Sequence, residues 1–424
     1  MLVLTAVVAL AVLGYAASGQ DTRGIGFHAL YQFQLLELYG TFLTGDLFNL
    51  FVSIEILLIA SYGLLLHELR PEGGRPGLHY VVLNLVGSSL FLVAVGVLYG
   101  VVGTLNLADL AVKIPAVRAH DAGLVRAAGG LLLVVFGLKS ALVPLHFWLP
   151  PSYSQAPATV AALFSLLTKA GAYGVVRVFP LLFGSEANGV ADVAQPWVLP
   201  AALATVCVGA LGALTSMDLR RMISYGVVVS VGSLFAGIGL FTVQGMTASL
   251  YYLIHSTVVT AALFLIADLA AAQRDGGSRR VPGGVVPRPA LLGTLFLTAG
   301  VAVTGMPPLS GFAAKVLLLQ AAWGRGSLTA WVWTALLLSG LGLLVAFCRA
   351  GNRIFWETAP GEGATTTISL RRWGPAAFLL ALSPALAVAA GPLTAFCLET
   401  ARQIMDPTVY ISGVLGPGML GGRP

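Results

Sequence analysis

The chain is built from one apolar run after another, each long enough to cross a bilayer and nearly free of charge inside. About twenty helical residues at 1.5 Å rise span the roughly 30 Å hydrocarbon core. Twelve such segments can be drawn: 2–18, 27–45, 48–67, 79–103, 123–150, 155–183, 195–215, 219–242, 246–272, 290–323, 327–349 and 375–397. Only 9% of the 424 residues are charged, against about 25% in a soluble domain. The pattern predicts an all-α polytopic membrane protein. The formal net charge of +6 does not point to nucleic acid, because the arginines sit between apolar runs, where they orient helices. The run 2–18 follows Met1 directly, with no basic stretch before it, so it reads as a membrane helix and not a signal peptide.

The loops carry the expected orientation. Connections after odd-numbered segments hold thirteen basic residues, among them Arg23, Arg70, Arg75, Arg220, Arg221, Arg274, Arg279, Arg280, Arg288 and Arg372. Connections after even-numbered segments hold five: Lys113, Arg118, Arg126, Arg177 and Arg325. The odd loops are therefore predicted to be cytoplasmic, with both termini outside. Residues 104–122 are expected to form an outer loop with some helical character. Asp268 is expected near the cytoplasmic end and in contact with water.

Three segments exceed the bilayer thickness, and two of them carry prolines in mid-run: Pro144 in 123–150, Pro307 and Pro308 in 290–323. A mid-helix proline removes a hydrogen bond and clashes with the preceding turn. In lipid the freed carbonyls must be met by protein or by a water-filled cavity. Broken helices at corresponding places in two halves point to an ion path. The breaks predict two five-helix repeats, 27–183 and 195–349. Residues 1–26 are then an N-terminal helix, 350–374 a cytoplasmic loop and 375–424 a last helix with its tail.

The basic residues divide unevenly. Nineteen of 23 are arginines; the four lysines are Lys113, Lys139, Lys169 and Lys315. Three of those lysines lie deep in apolar runs, where no arginine does. Arginine stays protonated in any protein environment, whereas a buried lysine can exchange its proton. A buried intramembrane charge is a functional residue by default and needs a partner. Glu55 is the natural carboxylate for Lys139, and displacing it would release the proton. Glu37 is a second intramembrane carboxylate, either a carrier or polar glue between helices. His255, in mid-run, suits proton relay. His146, two residues after Pro144, is placed to cap carbonyls freed by the break. Cys207, Cys348 and Cys397 form no CxxC or His–Cys cluster and read as small packing residues. No metal site, cofactor fingerprint or P-loop is present in the sequence.

The runs "TGDLFNLFVSIEILLIASYGLLLH" (44–67), "FGLKSALVPLHFWLPPSYSQAP" (136–157), "LLTKAGAYGVVRV" (166–178), "DLRRMISYG" (218–226), "YYLIHSTVVTAALFLI" (251–266) and "GMPPLSGFAAK" (305–315) resemble the D-type subunit of the Mrp-type multisubunit cation/proton antiporters. That family is related to the antiporter-like proton-pumping subunits of respiratory complex I. The resemblance implies two inverted repeats, each with a discontinuous helix, and a polar axis at the membrane midplane. By position it makes Glu55 the partner of a first key lysine, Lys139. It makes Lys169 a connecting lysine, His255 a central histidine and Lys315 the lysine of the second broken helix. It implies a bacterial inner-membrane subunit that relays protons against Na⁺ or K⁺ within a hetero-oligomeric complex, without a cofactor. Two other functions fit the same pattern: an antiporter-like subunit of a redox-driven complex, and a non-transporting scaffold. The chain departs from the family in three ways. It opens inside what would be the third helix. Thr260 stands where a lysine is usual, five residues after the central histidine. Glu37 and Tyr39 replace small or amide residues, and 226–232 lacks a polar group expected near Ser230.

Overall fold

A computed structural model describes residues 1–22, 25–67, 74–273, 289–357 and 369–416. The described residues are helical throughout, without a named strand. In chain order the helices are α1 (Leu2–Ala16), α2 (Phe27–Leu43), α3 (Leu47–Leu66), α4 (Gly74–Val102), α5 (Leu107–Lys113), α6 (Ala122–Ser140), α7 (Leu149–Gln155), α8 (Ala158–Leu163) and α9 (Leu167–Leu182). They continue with α10 (Gln195–Thr215), α11 (Leu219–Ile238), α12 (Val243–Ala271), α13 (Pro289–Thr304), α14 (Ser310–Ala322), α15 (Ser327–Gly351), α16 (Leu370–Val388), α17 (Ala390–Met405) and α18 (Pro407–Leu415).

Eight helices among the described residues are long and apolar enough to cross a membrane, or nine if the bent pair α16–α17 is one span. The sequence count of twelve is higher for local reasons. Run 2–18 gives a helix of 15 residues and run 27–45 one of 17, with Gln34 and Glu37 inside it. Run 290–323 is divided into α13 and α14, of 16 and 13 residues. Run 375–397 is not one straight helix: the chain turns by 83° between α16 and α17. The expected loop 350–374 begins inside α15 and continues as a π turn to Trp356; residues 358–368 lie outside the described ones. So do Arg23, Arg70 and Arg274–Arg288 of the orientation argument, and the side chain of Arg75 is likewise not described.

Loop contacts sort into two ends of the bundle. At one end Asp46 and Asn106 pair as an isolated antiparallel bridge. Each caps the helix it starts, accepting from two backbone N–H groups of α3 or α5, which satisfies donors that a helix start leaves free. Asn188 Nδ2 donates to the Pro115 carbonyl (3.0 Å) and Arg126 Nη1 to that of Gly189 (3.1 Å) at this same end. The stretch 104–122 is thus joined to its neighbours, with α5 as its helical part.

At the other end one carboxylate gathers the chain. Asp268 accepts from Arg220 Nη2 (2.5 Å), Tyr15 Oη (2.8 Å) and Gln20 Nε2 (2.8 Å), with Arg372 Nη2 at 3.5 Å. Arg220 Nη1 also donates to the Ala156 carbonyl (3.4 Å), at the C-terminal end of α7. The Asp268 side chain is only 14% exposed, so it is not the wet terminal residue expected. It ties α1, α7, α11, α12 and α16 together.

The centre of the bundle is α8–α9, α11 and α12. Buried residues make up 94, 89 and 89% of these spans, against 39 to 50% for the others. A helix apolar all round belongs in the middle, and one buried on a single face belongs at the edge. Cys397 is buried as a packing residue would be, but Cys207 and Cys348 face outward.

Candidate functional site

The first break falls where the proline placed it. Helix α6 ends at Ser140, one residue after Lys139. Ala141 then turns with φ 62°, in the left-handed region. A residue with a Cβ held there carries strain of about 1–3 kcal/mol, of a kind that collects at functional sites. The chain returns to helix only at Leu149. The groups freed by the break find partners within the protein. Trp148 Nε1 donates to the Leu138 carbonyl (2.9 Å), and Thr205 Oγ1 accepts from Val143 N (2.9 Å). His146 therefore does not cap the Leu138 carbonyl; it is half-buried, its ring against Phe147 and its Nδ1 without a hydrogen-bond partner among the described residues.

Lys139, 5% exposed, lies 3.7 Å from Glu55 Oε1. Its Nζ donates to Ser88 Oγ (3.2 Å) and to the Asn84 carbonyl (3.3 Å). Ser88 in turn hydrogen-bonds to Glu55 Oε1. The serine has one proton and two acceptors, Glu55 and the Asn84 carbonyl (2.9 Å). The ammonium and the carboxylate are thus joined by a hydroxyl that can accept from one while donating to the other. Sequence reasoning misses Ser88 and Asn84. Their spacing of four puts both on one face of α4, a signal that a search for intramembrane polar pairs would find.

A cavity of about 20 Å³ lies between this site and α9, lined by Asn84, Lys139, Leu167, Ala170 and Gly171 among others. That is room for about one water. Gly171 is what lets α9 come so close to the end of α6: a Cβ there would collide with Ser140 Oγ. Lys169, in the first turn of α9, is fully buried, and its Nζ has no hydrogen-bond partner among the described residues.

Further along, His255 Nδ1 is 2.8 Å from Ser310 Oγ, which is 2.8 Å from Ser383 Oγ of α16. Gly311 packs on the imidazole; a Cβ there would meet Nε2 and Cε1 at 3.0 Å and overlap the Ala302 carbonyl. Lys315 follows one turn later on α14. Its Nζ donates to the Thr304 carbonyl (2.6 Å), which the second break, at Pro307 and Pro308, leaves free at the end of α13. Gly305 and Gly340 leave the space its side chain fills. Thr260 is buried on α12, five residues after His255. Glu37 Oε2 and Ser53 Oγ of α3 both lie beside Gly40, whose missing Cβ allows the close approach of α2 and α3. Among the described residues no cluster of His, Cys, Asp or Glu could hold a metal ion.

Two discontinuous helices, with buried lysines close to their breaks, define a class of helical membrane protein that keeps ionisable groups inside its bundle. Residues 44–342 match the family described as NADH:quinone oxidoreductase/Mrp antiporter, TM, and the chain belongs to that family. It is 36% identical to the probable K⁺/H⁺ antiporter D subunit of Rhizobium meliloti (strain 1021), over 100% of this chain and 83% of that protein. It is 35% identical to the Na⁺/H⁺ antiporter D subunit of Bacillus subtilis (strain 168), over 98% of this chain and 83% of that one. Among solved structures, a chain of the Mrp complex from Dietzia sp. DQ12-45-1b superposes with a TM-score of 0.86 at 26% identity, covering 97% of this chain and 84% of that chain. A chain of respiratory complex I from Thermus thermophilus with bound NADH gives 0.78 at 25% identity, covering 95% and 84%.

Proposed function

We propose that this chain is the proton-translocating D subunit of a multisubunit Na⁺/H⁺ or K⁺/H⁺ antiporter in a bacterial inner membrane. It is a transporter subunit and not an enzyme, and it works beside other subunits of a hetero-oligomeric complex. The two halves are 27–183 and 195–349, each with its fourth segment broken, flanked by an N-terminal helix in 1–26 and by 375–424. Protons pass by alternate protonation of Lys139, Lys169, His255 and Lys315. Glu55, through Ser88, sets the charge state of Lys139. A cation or proton bound elsewhere in the complex draws Glu55 towards or away from that lysine and so gates the step.

The observation that carries this reading is the Glu55–Ser88–Lys139 chain at the first break. A buried ammonium favours its charged form when a carboxylate faces it and its neutral form when left alone, so a small displacement of Glu55 suffices to move a proton. The test is antiport by the assembled complex in inside-out vesicles, read as recovery of a pH dye when Na⁺ or K⁺ is added. Lys139→Ala is expected to reduce it to background with assembly of the complex intact; wild-type recovery would refute the proposal. A related reading, membership of a redox-driven complex, is favoured by one observation: the fold likeness extends to respiratory assemblies. Electron-transfer subunits co-purifying with this chain would decide for it.

A further inference from the structure

Among the fully buried side chains whose polar atoms have no partner among the described residues are five on three adjoining helices: Thr5 Oγ1, both ends of the Gln34 amide, Thr41 Oγ1, Thr168 Oγ1 and Lys169 Nζ. They come from α1, α2 and α9, and two hydrogen bonds place them along the membrane normal. Tyr31 Oη of α2 donates to the Ala9 carbonyl of α1 (2.7 Å), and Tyr173 Oη of α9 to the Phe42 carbonyl of α2 (3.0 Å). Helices α1 and α2 run in opposite directions from the end that holds Gln20. Thr5, four residues before Ala9, and Gln34, three after Tyr31, are therefore displaced the same way, by about 6 and 4.5 Å. Helices α2 and α9 run in the same direction, away from the Asp268 end, where α2 and the span α8–α9 begin. Lys169 lies one turn before Tyr173, Thr41 one residue before Phe42 and Gln34 two turns before it. In depth, Lys169 falls between Gln34 and Thr41.

An amide offers two donors and two acceptor sites. Leaving it bare in an apolar interior is unfavourable, and the bilayer supplies nothing to replace a missing bond. Neighbouring side chains do not supply one either, and Lys169 has the same want at a nearby depth. Internal water meets both, since a buried water makes about three hydrogen bonds to groups otherwise unsatisfied. A metal cation is the poorer occupant, because the cluster holds an ammonium and the neighbouring carboxylate of α2, Glu37, lies beside Gly40 with Ser53 of α3.

We propose that Gln34, with Thr5 and Thr41, holds a row of internal waters between α1, α2 and α9 that reaches Lys169 Nζ. This gives Lys169 a proton path to the side of the line from Glu55 and Lys139 to His255. Gln34 is a positioning residue: it holds the water and does not itself carry the proton. The water row stands on burial alone; its use as a proton path rests on the function proposed above.

Two measurements on the whole complex test the two parts separately. A cryo-EM map that resolves ordered water should show density within hydrogen-bond distance of the Gln34 amide and of Lys169 Nζ; a dry Gln34 overturns the water row. Gln34→Leu should lower antiport severalfold without raising thermal stability. If the site is dry, removing an orphaned amide should instead raise Tm and leave antiport at the wild-type rate, and that result overturns the path. A Gln34→Leu chain that fails to assemble leaves the decision to the wild-type map. Loss of the function reading itself would show elsewhere, as wild-type antiport in Lys139→Ala.

Discussion

The two broken helices each bring a buried lysine to mid-depth but give it different company. Lys139 stands at the end of α6, before its break, and faces a carboxylate across a serine. Lys315 stands on α14, after its break, and its Nζ donates to the carbonyl of Thr304. A carboxylate can neutralise an ammonium, whereas a carbonyl can only orient it. The first lysine is therefore suited to be held charged until Glu55 moves. The second is suited to receive or lose a proton as its neighbour His255 changes state. In the proposed relay, the same backbone device, a helix opened by proline, would serve one site that is gated and one that follows.

Several substitutions would break this contrast if it is wrong. The largest effect is expected from Glu55→Gln, which keeps shape and hydrogen bonding but removes the charge; dye-monitored antiport should fall to near background, and a wild-type rate would mean that both lysines work without a carboxylate. Next comes Asp268→Ala, which strips two arginines of their shared partner at one end of the bundle. Removing one side of a buried pair costs about 3–5 kcal/mol, so thermal unfolding of the detergent-solubilised complex should shift down by several degrees; an unchanged Tm would mean that the cluster does not tie the helices together. Ser88→Ala deletes the hydroxyl between Lys139 and Glu55. A hydrogen bond to a charged group is worth about 1.5–3 kcal/mol, which predicts an antiport rate lower by roughly tenfold or more, with Ser310→Ala acting instead on the His255 side. Thr260→Val should change antiport least, because the contact between His255 and α14 is made through Gly311; a large loss would put Thr260 on the path.

Much of this arrangement can be read from the sequence. Long runs with prolines in the middle mark the breaks, and lysines in a chain that otherwise uses arginine mark the buried charges. What cannot be read is the third residue of each small network. Ser88, Trp148, Ser310 and Ser383 are ordinary residues in apolar helices, and their roles come from which helices meet at which depth. His146 shows the limit of the local argument: it lies close in sequence to the freed carbonyls, yet Trp148, two residues on, has the reach and the direction. Asp268 shows the same limit. Its position in α12 suggests water, but the three-dimensional meeting of Arg220, Tyr15 and Gln20 makes it nearly buried. The number of spans is legible only to within the ambiguity of short and bent helices, since hydropathy does not report the turn of 83° after α16.

The proposed role of Lys139 is to give up its proton, not merely to carry charge, and Lys139→Arg separates the two. Arginine would keep the cation beside Glu55 but cannot release a proton in a protein. With the complex assembled as in the wild type, cation-driven proton movement in vesicles should be lost in Lys139→Arg as fully as in Lys139→Ala. Antiport by Lys139→Arg at or near the wild-type rate would contradict the proton relay and leave Lys139 as a fixed charge.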